Sequence, residues 1–478
     1  MENSIRSQAI HGAKWAMIEK FSLQLIQFGL GIILARLLTP SDYGTIGMIA
    51  VFIAISNVFI DSGFASALIR KKQPTEEDFS TVFLTNLAIS AICFFILFFS
   101  APWIARFYKT PILCEIVRVQ SVSLLLYALM AVHVTKLTVE VNFKVLARAS
   151  LVSSPVSGIL GILFAYLGFG VWALVIQNLL GIIFKFLCIL YQNRWFPKIG
   201  FSRKSFDELF GFGKNILGAG LLSAIYFNID SIIIGKFFTP ASLGNYARGT
   251  QIARLPVDNI NGVLNTVTYP ILAKLQDDTA RLLSAYRRYI GLISMCIFFC
   301  CMLMASLGKP LVLFLLSDKW NNAIIYLQLY SFAIMTDHLC VINLNLIKIK
   351  GRSDLIFKLE VIKRILSFII LFAAIPFGVL GICVSKIVYS VFAVFINAYY
   401  NGKLFNLGIV LQFKDFYNYL IWSMIAVAPA YAITFTPLPD IVQIGLGAIV
   451  ALSIYCVALR KDANYLEIRT MILSKLHR

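Results

Sequence analysis

Charge is scarce in this chain. Of its 478 residues only 14% are Asp, Glu, Lys or Arg, the acids number 23 and the histidines four, while 59% are hydrophobic and the mean hydropathy is +0.82. So few charges cannot clothe a soluble domain of this size, which excludes a soluble enzyme and leaves a polytopic helical membrane protein. Catalytic signatures are missing as well. No nucleophile motif, phosphate loop, HExxH or paired-cysteine metal site occurs, and His11, His133, His338 and His477 are scattered over the chain. The longest outer loop expected between apolar segments, residues 308–322, is about 15 residues, too short for an external catalytic domain. That argues against a membrane polymerase or glycosyltransferase. No basic tail or zinc spacing accompanies the net charge of +19, so nucleic acid is not an expected partner. All nine cysteines fall in apolar stretches, where a thiol behaves as a small hydrophobe, and neither a disulfide framework nor a metal site is expected. The first twenty residues lack a short apolar core followed by a small-residue cleavage site, so the first span is expected to serve as the anchor.

What the chain has is long apolar runs. They predict spans near 15–38, 43–69, 79–105, 112–136, 146–167, 170–191, 213–238, 243–270, 286–308, 323–347, 355–377, 379–400, 416–435 and 439–459, about 14 helices in all. The fourth, eighth and eleventh are polar enough for a hydropathy scan to pass over them. With the N-terminus placed in the cytoplasm, about 29 of the 42 Lys and Arg fall in cytoplasmic segments and about six in outer loops, as the positive-inside rule requires. Both termini are therefore expected inside.

The chain also repeats itself. Ile32 to Gly44, IILARLLTPSDYG, aligns without a gap with Ile232 to Gly244, IIIGKFFTPASLG. Further on, Pro102 matches Pro310, Gln120 matches Gln328, and Phe169-Gly170-Val171 matches Phe377-Gly378-Val379. Ordered landmarks at nearly constant spacing indicate duplication of a six-helix unit. Because six is even, the two copies enter the membrane in the same direction, a parallel repeat. The expected organisation is a six-helix lobe over 1–192, a linker over 193–214, a second six-helix lobe over 215–402, a further helix pair over 403–460 and a tail over 461–478. In the linker, Ser205 and Glu208 have capping-box spacing and Phe206, Leu209 and Phe210 share one face, which predicts a short interfacial helix. The tail predicts an interfacial helix or a solvated segment. In each copy the Thr-Pro turn starts a helix, with Gly44 or Gly244 expected to relax the backbone nearby.

One predicted span stands apart. The stretch from Leu243 to Leu272 carries Arg248, Arg254, Asp258, Asn259, Asn261 and Asn265, and Gln251, Arg254, Asp258, Asn261 and Asn265 follow one another at three- and four-residue steps, a single helical stripe. Arginine at the centre of a spanning helix costs roughly 2.5–3.5 kcal/mol, so the stripe must face protein or water. Two readings follow, the wall of a substrate pathway or a seam in which Arg254 and Asp258 neutralise each other against a neighbouring helix. Other ionisable residues at membrane depth are Arg118, Lys185, Lys363, Arg364 and Lys386 against Asp61, Glu115, Asp230, Asp337 and Glu360. Glu115 with Arg118, and Glu360 with Lys363 or Arg364, have the spacing of helical pairs. Cations at two depths suit an anionic ligand, particularly a phosphate. Asp61, between Asn57 and Ser62, and Asp230, between Asn228 and Ser231, are candidates to bind a coupling sodium ion or proton, with Asp258 a third. Satisfaction by a neighbouring helix terminus or hydroxyl is the plainer alternative for each.

Ala35 to Gly44, Asp230 with Ile233-Ile234-Gly235-Lys236, Leu243 to Arg248, Tyr269-Pro270, Leu275 to Asp278 and Tyr286-Arg287-Arg288 together resemble the bacterial polysaccharide transporters of the multidrug/oligosaccharidyl-lipid/polysaccharide exporter superfamily. The resemblance runs over nearly the whole chain. It implies an all-α, MATE-like fold of two lobes, and a flippase for undecaprenyl-pyrophosphate-linked oligosaccharide in the bacterial inner membrane. It implies no cofactor beyond a coupling ion in some members, and as partners the membrane lipids, a polysaccharide polymerase and glycosyltransferases. On that reading Arg254 and Arg248, with Arg118 and Lys386, would receive pyrophosphate or an acidic sugar, while Asn261 and Asn265 would bond neutral hydroxyls. A drug or organic-cation antiporter on the same scaffold, binding through carboxylates such as Asp61 and Asp258, is the alternative.

Overall fold

The computed structural model describes residues 2–198, 200–263 and 268–476, and every regular element among them is a helix. The chain divides into two compact units, Met1–Gly244 and Asn245–Arg478. Among the described residues, twelve helical stretches are long and apolar enough to cross a membrane. The eighth predicted span is too polar to be among them, as expected, whereas the fourth qualifies because its polar groups are outweighed by Leu and Val. One stretch of 52 residues, Asp354–Phe405, contains two helices, so the twelve do not by themselves fix the total of fourteen.

The first unit contains α1 (Glu2–Leu37), α2 (Pro40–Asp61), α3 (Phe64–Arg70), α4 (Glu76–Phe107), α5 (Leu113–Val139), α6 (Phe143–Tyr166), α7 (Val171–Gln192) and α8 (Arg203–Phe237). Within it α1 packs on α6, α6 on α7, α4 on α5 and α2 on α8. Both Thr-Pro turns are helix starts of one design. Thr39 accepts from the Asp42 amide at 3.3 Å while the Asp42 carboxylate accepts the Thr39 amide at 2.8 Å, and Pro40 supplies the fixed φ of the first turn. In the second copy Thr239 accepts from the Ser242 amide at 3.1 Å.

The glycines of these turns have a different role from the one expected. Both lie inside helices, where no unusual backbone angle is needed. A Cβ on Gly44 would sit 1.7 Å from the Pro240 carbonyl oxygen, and one on Gly244 would sit 1.8 Å from that of Pro40. The duplicated turns therefore meet each other backbone to backbone, each copy's glycine receiving the other copy's proline carbonyl, at the close approach that small residues permit in membranes. The same device recurs along α8. Gly235 admits Met48 and Tyr108, Gly220 admits Val58, and at the far end a Cβ on Gly213 would lie 2.5 Å from the Ser62 carbonyl. There α2 breaks from α3 through two left-handed residues, Ser62 at φ 44° and Gly63 at φ 72°. The Asp61 carboxylate accepts the Ala65 amide at 3.4 Å in the new first turn.

No separate interfacial helix follows α7. Ser202, accepting from the Ser205 amide at 3.3 Å, caps α8, which then runs unbroken for 35 residues. Phe206 and Phe210 pack against Phe64, with ring centroids 6.0 and 6.2 Å away, because α3 offers them protein in place of lipid. The segment leading in is pinned by Trp195. Its indole donates to Glu76 at 2.7 Å and its ring lies 4.2 Å beneath the Lys136 ammonium. Lys71 bridges Asp78 and Glu208 at 3.0 Å each. Burial opposes its charge, but the hydrogen bonds to those two carboxylates prevail and hold its pKa above the usual lysine value.

The second unit holds most of α9 (Pro240–Val263), then α10 (Tyr269–Ala273), α11 (Thr279–Ser306), α12 (Gly308–Leu316), α13 (Ala323–Ile334), α14 (Asp337–Ile349), α15 (Ser353–Ala374), α16 (Gly378–Phe405), α17 (Ile409–Ile433), α18 (Asp440–Ala458) and α19 (Ala463–Leu476). Of the trailing helices, α17 is fastened through a buried amide network. Tyr286 donates to Asn343 at 2.8 Å, and Asn343 and Gln412 exchange hydrogen bonds at 3.0 Å each. The tail forms α19, tied to α11 by the Arg288–Glu467 ion pair and to α17 by Asn464, which donates to Tyr419 at 2.8 Å.

Overpacking a site of this kind costs about 1–3 kcal/mol. Gly44→Ala and Gly244→Ala should each lower the thermal unfolding midpoint of the purified protein, whereas Gly218→Ala, with nothing within 4 Å of its Cβ position, should leave it unchanged or raise it slightly.

Candidate functional site

Helix α9 has the phase its sequence predicts. Ile252, Ala253 and Val257 are buried at 6%, 1% and 1% exposure, while Gln251, Arg254 and Asp258 are exposed on the other face. The stripe is therefore not sealed in a dry helix contact. Arg248, half-buried one turn earlier, donates to the Gln251 side-chain oxygen at 2.6 Å and joins the stripe to the turn above. Asn261 continues it, half-buried. Asn265 lies outside the described residues.

Arg254 is the centre of the arrangement. Its Nε donates to the Tyr330 hydroxyl at 2.9 Å, a second donation comes from Nη2, and the guanidinium carbon lies 5.3 Å from the Tyr330 ring centroid. Asp258, one turn along, and Asp337, the first residue of α14, both act on it electrostatically. Asp337 in turn interacts with Lys363 of α15. Lys363 pairs with Glu360 at 2.5 Å, and Arg364 lies 3.7 Å from the same carboxylate. Three acids and three bases thus alternate across α9, α14 and α15, with Tyr330 of α13 beside them. The predicted pairing of Glu360 with Lys363 and Arg364 is what the structure has.

Asp337 occupies a special place in the chain. The tenth span is interrupted at Met335 and Thr336, and α14 begins anew at Asp337. A carboxylate in the first turn of a helix is favoured by the helix dipole, and interrupted helices at membrane depth are where transporters present backbone and charge to a ligand. The adjacent His338 turns the other way. It is fully buried, with Nε2 2.8 Å from the Ser294 hydroxyl, and takes no part in the cluster.

The remaining sequence candidates belong to other helices. Arg118, in the first unit, is exposed with its guanidinium 5.1 Å from the Phe98 ring centroid, and among the described residues no ion pair joins it to Glu115. An aromatic face has taken the place expected for the carboxylate. Lys386 is half-buried on α16 and Asp230 half-buried on α8. Asp61, half-buried, accepts the Ala65 amide in the first turn of α3, which gives that carboxylate a structural duty. Tyr330 is the member of the cluster that the sequence reading does not name, and Asp337 is named there only among the ionisable residues at membrane depth. A lone acid in the apolar run 323–347 was a visible signal for Asp337; nothing in the spacing singles out Tyr330. Among the described residues no group of three or more His, Cys, Asp or Glu could hold a metal ion.

The family described as polysaccharide biosynthesis protein matches residues 33–325 of this chain. Similar proteins include the teichuronic acid biosynthesis protein TuaB of Bacillus subtilis (strain 168), 26% identical over 380 residues and covering 78% of each chain. The lipopolysaccharide biosynthesis protein WzxC of Escherichia coli (strain K12) is 22% identical over 382 residues, covering 76% of this chain and 74% of its own. Among solved structures, lipid II flippase MurJ in an inward closed conformation matches with a TM-score of 0.74 at 15% identity, over 94% of this chain and 99% of its own. An inward-facing multidrug resistance MATE transporter matches at 0.57 and 17% identity, over 80% of this chain and 95% of its own. At such identities these two likenesses establish the fold, the multi-pass, all-helical architecture that the flippase and the drug transporters share.

The accessible stripe makes a direct prediction. In a protein whose nine native cysteines are replaced, single cysteines at positions 251, 254 and 258 should react with a charged, membrane-impermeant thiosulfonate, and those at 252, 253 and 257 should react at least about tenfold more slowly. Equal rates on the two faces would show that the stripe meets lipid or protein and not water.

Proposed function

The chain belongs to the polysaccharide biosynthesis protein family, and on that premise we propose that it is a flippase for lipid-linked oligosaccharide. The cargo is a repeat unit of O-antigen, capsule or exopolysaccharide carried on undecaprenyl pyrophosphate, moved from the cytoplasmic to the outer leaflet of a bacterial inner membrane by alternating access. The observation that carries this reading is Arg254, a guanidinium bonded to Tyr330 on the exposed face of α9. Its forked donors match phosphate oxygens. Arg248 adds a second cation one turn away, and Gln251 and Asn261 supply neutral hydrogen-bonding groups for sugar hydroxyls along the same face. Asn265 continues the same three- and four-residue spacing in the sequence. Family membership supports a polysaccharide cargo, as do relatives named for teichuronic acid and lipopolysaccharide synthesis, whereas likeness to the drug transporters is one of fold.

On this reading the protein is a transporter and not an enzyme, with polymerase and glycosyltransferases acting before and after it. The excess of Lys and Arg in alternate loops supports cytoplasmic termini. If transport is driven by a sodium or proton gradient, Asp61, Asp230 and Asp258 are the candidates to bind the ion, Asp61 while also accepting the Ala65 amide.

Replacing Arg254 and Arg248 together with alanine should abolish surface polysaccharide in the producing strain and leave lipid-linked repeat units in the membrane, with protein abundance unchanged. Normal polymer in that strain would remove both residues from the site. Raised drug tolerance on overexpression, with intact polysaccharide on deletion, would favour the organic-cation reading.

A further inference from the structure

The acid nearest to Arg254 along its own helix is not its contact partner. Asp258 stands one turn on, at the spacing of a helical ion pair, yet among the described residues no ion pair joins the two. Arg287, Arg288 and Arg352 of the same unit are each held by a carboxylate, that of Asp415, Glu467 and Asp354 respectively. What holds Arg254 is a phenol, which carries no charge at neutral pH. Its Nε and Nη2 both donate to the Tyr330 hydroxyl, so one oxygen takes the whole side-on edge of the guanidinium. The end-on edge, formed by Nη1 and the second hydrogen of Nη2, makes no hydrogen bond among the described residues, and the side chain is exposed. The hydroxyl is itself fixed. Tyr330 is 5% exposed, and its ring packs edge-on against Tyr246 with centroids 6.4 Å apart, while Tyr246 also meets Tyr326 at 6.1 Å.

We propose that Tyr330 is a positioning residue for the substrate site: it keeps Arg254 from pairing with Asp258 and leaves the Nη1–Nη2 edge of the guanidinium to two oxygens of a phosphate. This deepens the proposed function and rests on it. A carboxylate in place of the phenol would orient Arg254 equally well, but it would also neutralise it. The hydroxyl orients without neutralising. A guanidinium already held in one rotamer loses little further freedom when a ligand arrives, and its remaining edge has the forked geometry that matches a pair of phosphate oxygens. Without the hydroxyl, Arg254 is free to swing to Asp258 one turn away. An anion must then compete with an acid for the same donors, and the long side chain has to be ordered again on each binding event. Tyr330 touches the ligand in neither state, so its influence passes through Arg254 alone.

The test measures binding of farnesyl pyrophosphate to purified full-length protein. Tyr330→Phe, which keeps the buried ring, should weaken binding about tenfold. In an Asp258→Asn background the same change should weaken it about twofold or less, because no acid remains one turn away to capture the guanidinium. A hydroxyl with a merely structural role would give equal losses in the two backgrounds, and that result overturns the inference. Should Tyr330→Phe not fold, Arg254→Lys decides, since an ammonium has no second edge to present. A loss of about tenfold or more supports the inference, and affinity within about twofold of the wild type overturns it. Binding lost in Arg254→Ala but kept in Tyr330→Phe overturns the inference alone. If the wild type does not bind the probe, or Arg254→Ala binds it equally well, the assignment of the site falls and the inference with it.

Discussion

A guanidinium at membrane depth must be solvated by something, and much of the second unit is arranged around that requirement. An ionised group in hydrocarbon is costly unless protein or water meets it. Here Tyr330 meets Arg254 with a hydroxyl, Asp258 and Asp337 meet it with opposite charge, and the sequence of compensation continues through Lys363 and Glu360 to Arg364. Four helices are thereby held to one another by charge as well as by packing. Because the acids and bases are equal in number, the group can persist without a ligand. Because Arg254 remains accessible, it can also exchange one partner for another. Those two properties are what a carrier needs of a binding group that is alternately empty and filled.

The first unit is governed by a different economy of contact, that of small residues. Along α8, Gly213, Gly220 and Gly235 each face a point of α2 or its neighbours at a distance that a methyl group would close. Lipid tails are as apolar as leucine, so helix association in a bilayer draws on close packing and backbone contact. The charged fastenings lie at the end of the unit where Trp195, Lys136, Glu76, Lys71 and Glu208 gather. Glycine contact along the span and ion pairs at its end fasten α8 within the first unit, although its sequence belongs to the second repeat.

Much of this was legible in the sequence. The duplication showed in the Thr-Pro turns, and the phase of α9 showed in the three- and four-residue steps from Gln251 to Asp258, because both depend on local periodicity. The Glu360 pairing with Lys363 and Arg364 was legible for the same reason, as partners one turn apart on one helix. Contacts between helices were not. Tyr330 is one of many tyrosines in apolar runs, and only the crossing of α9 with α13 makes it the partner of Arg254. Arg118 has a carboxylate at helical spacing, yet Phe98 of another helix claims it. The supposed interfacial helix failed for a related reason. Its aromatic face was read correctly as needing cover, but α3 provides the cover. Gly44 and Gly244 looked like turn residues, and their true constraint, a carbonyl from the other copy, lies two hundred positions away.

The meeting of the two Thr-Pro turns is reciprocal, since what Gly44 receives from Pro240, Gly244 receives from Pro40. Reciprocity of that form defines an isologous interface, the kind by which identical subunits assemble about a dyad. A single six-helix ancestor could have made both halves of the contact with a second copy of itself before the gene was ever doubled. Fusion would then have preserved an existing homodimer seam.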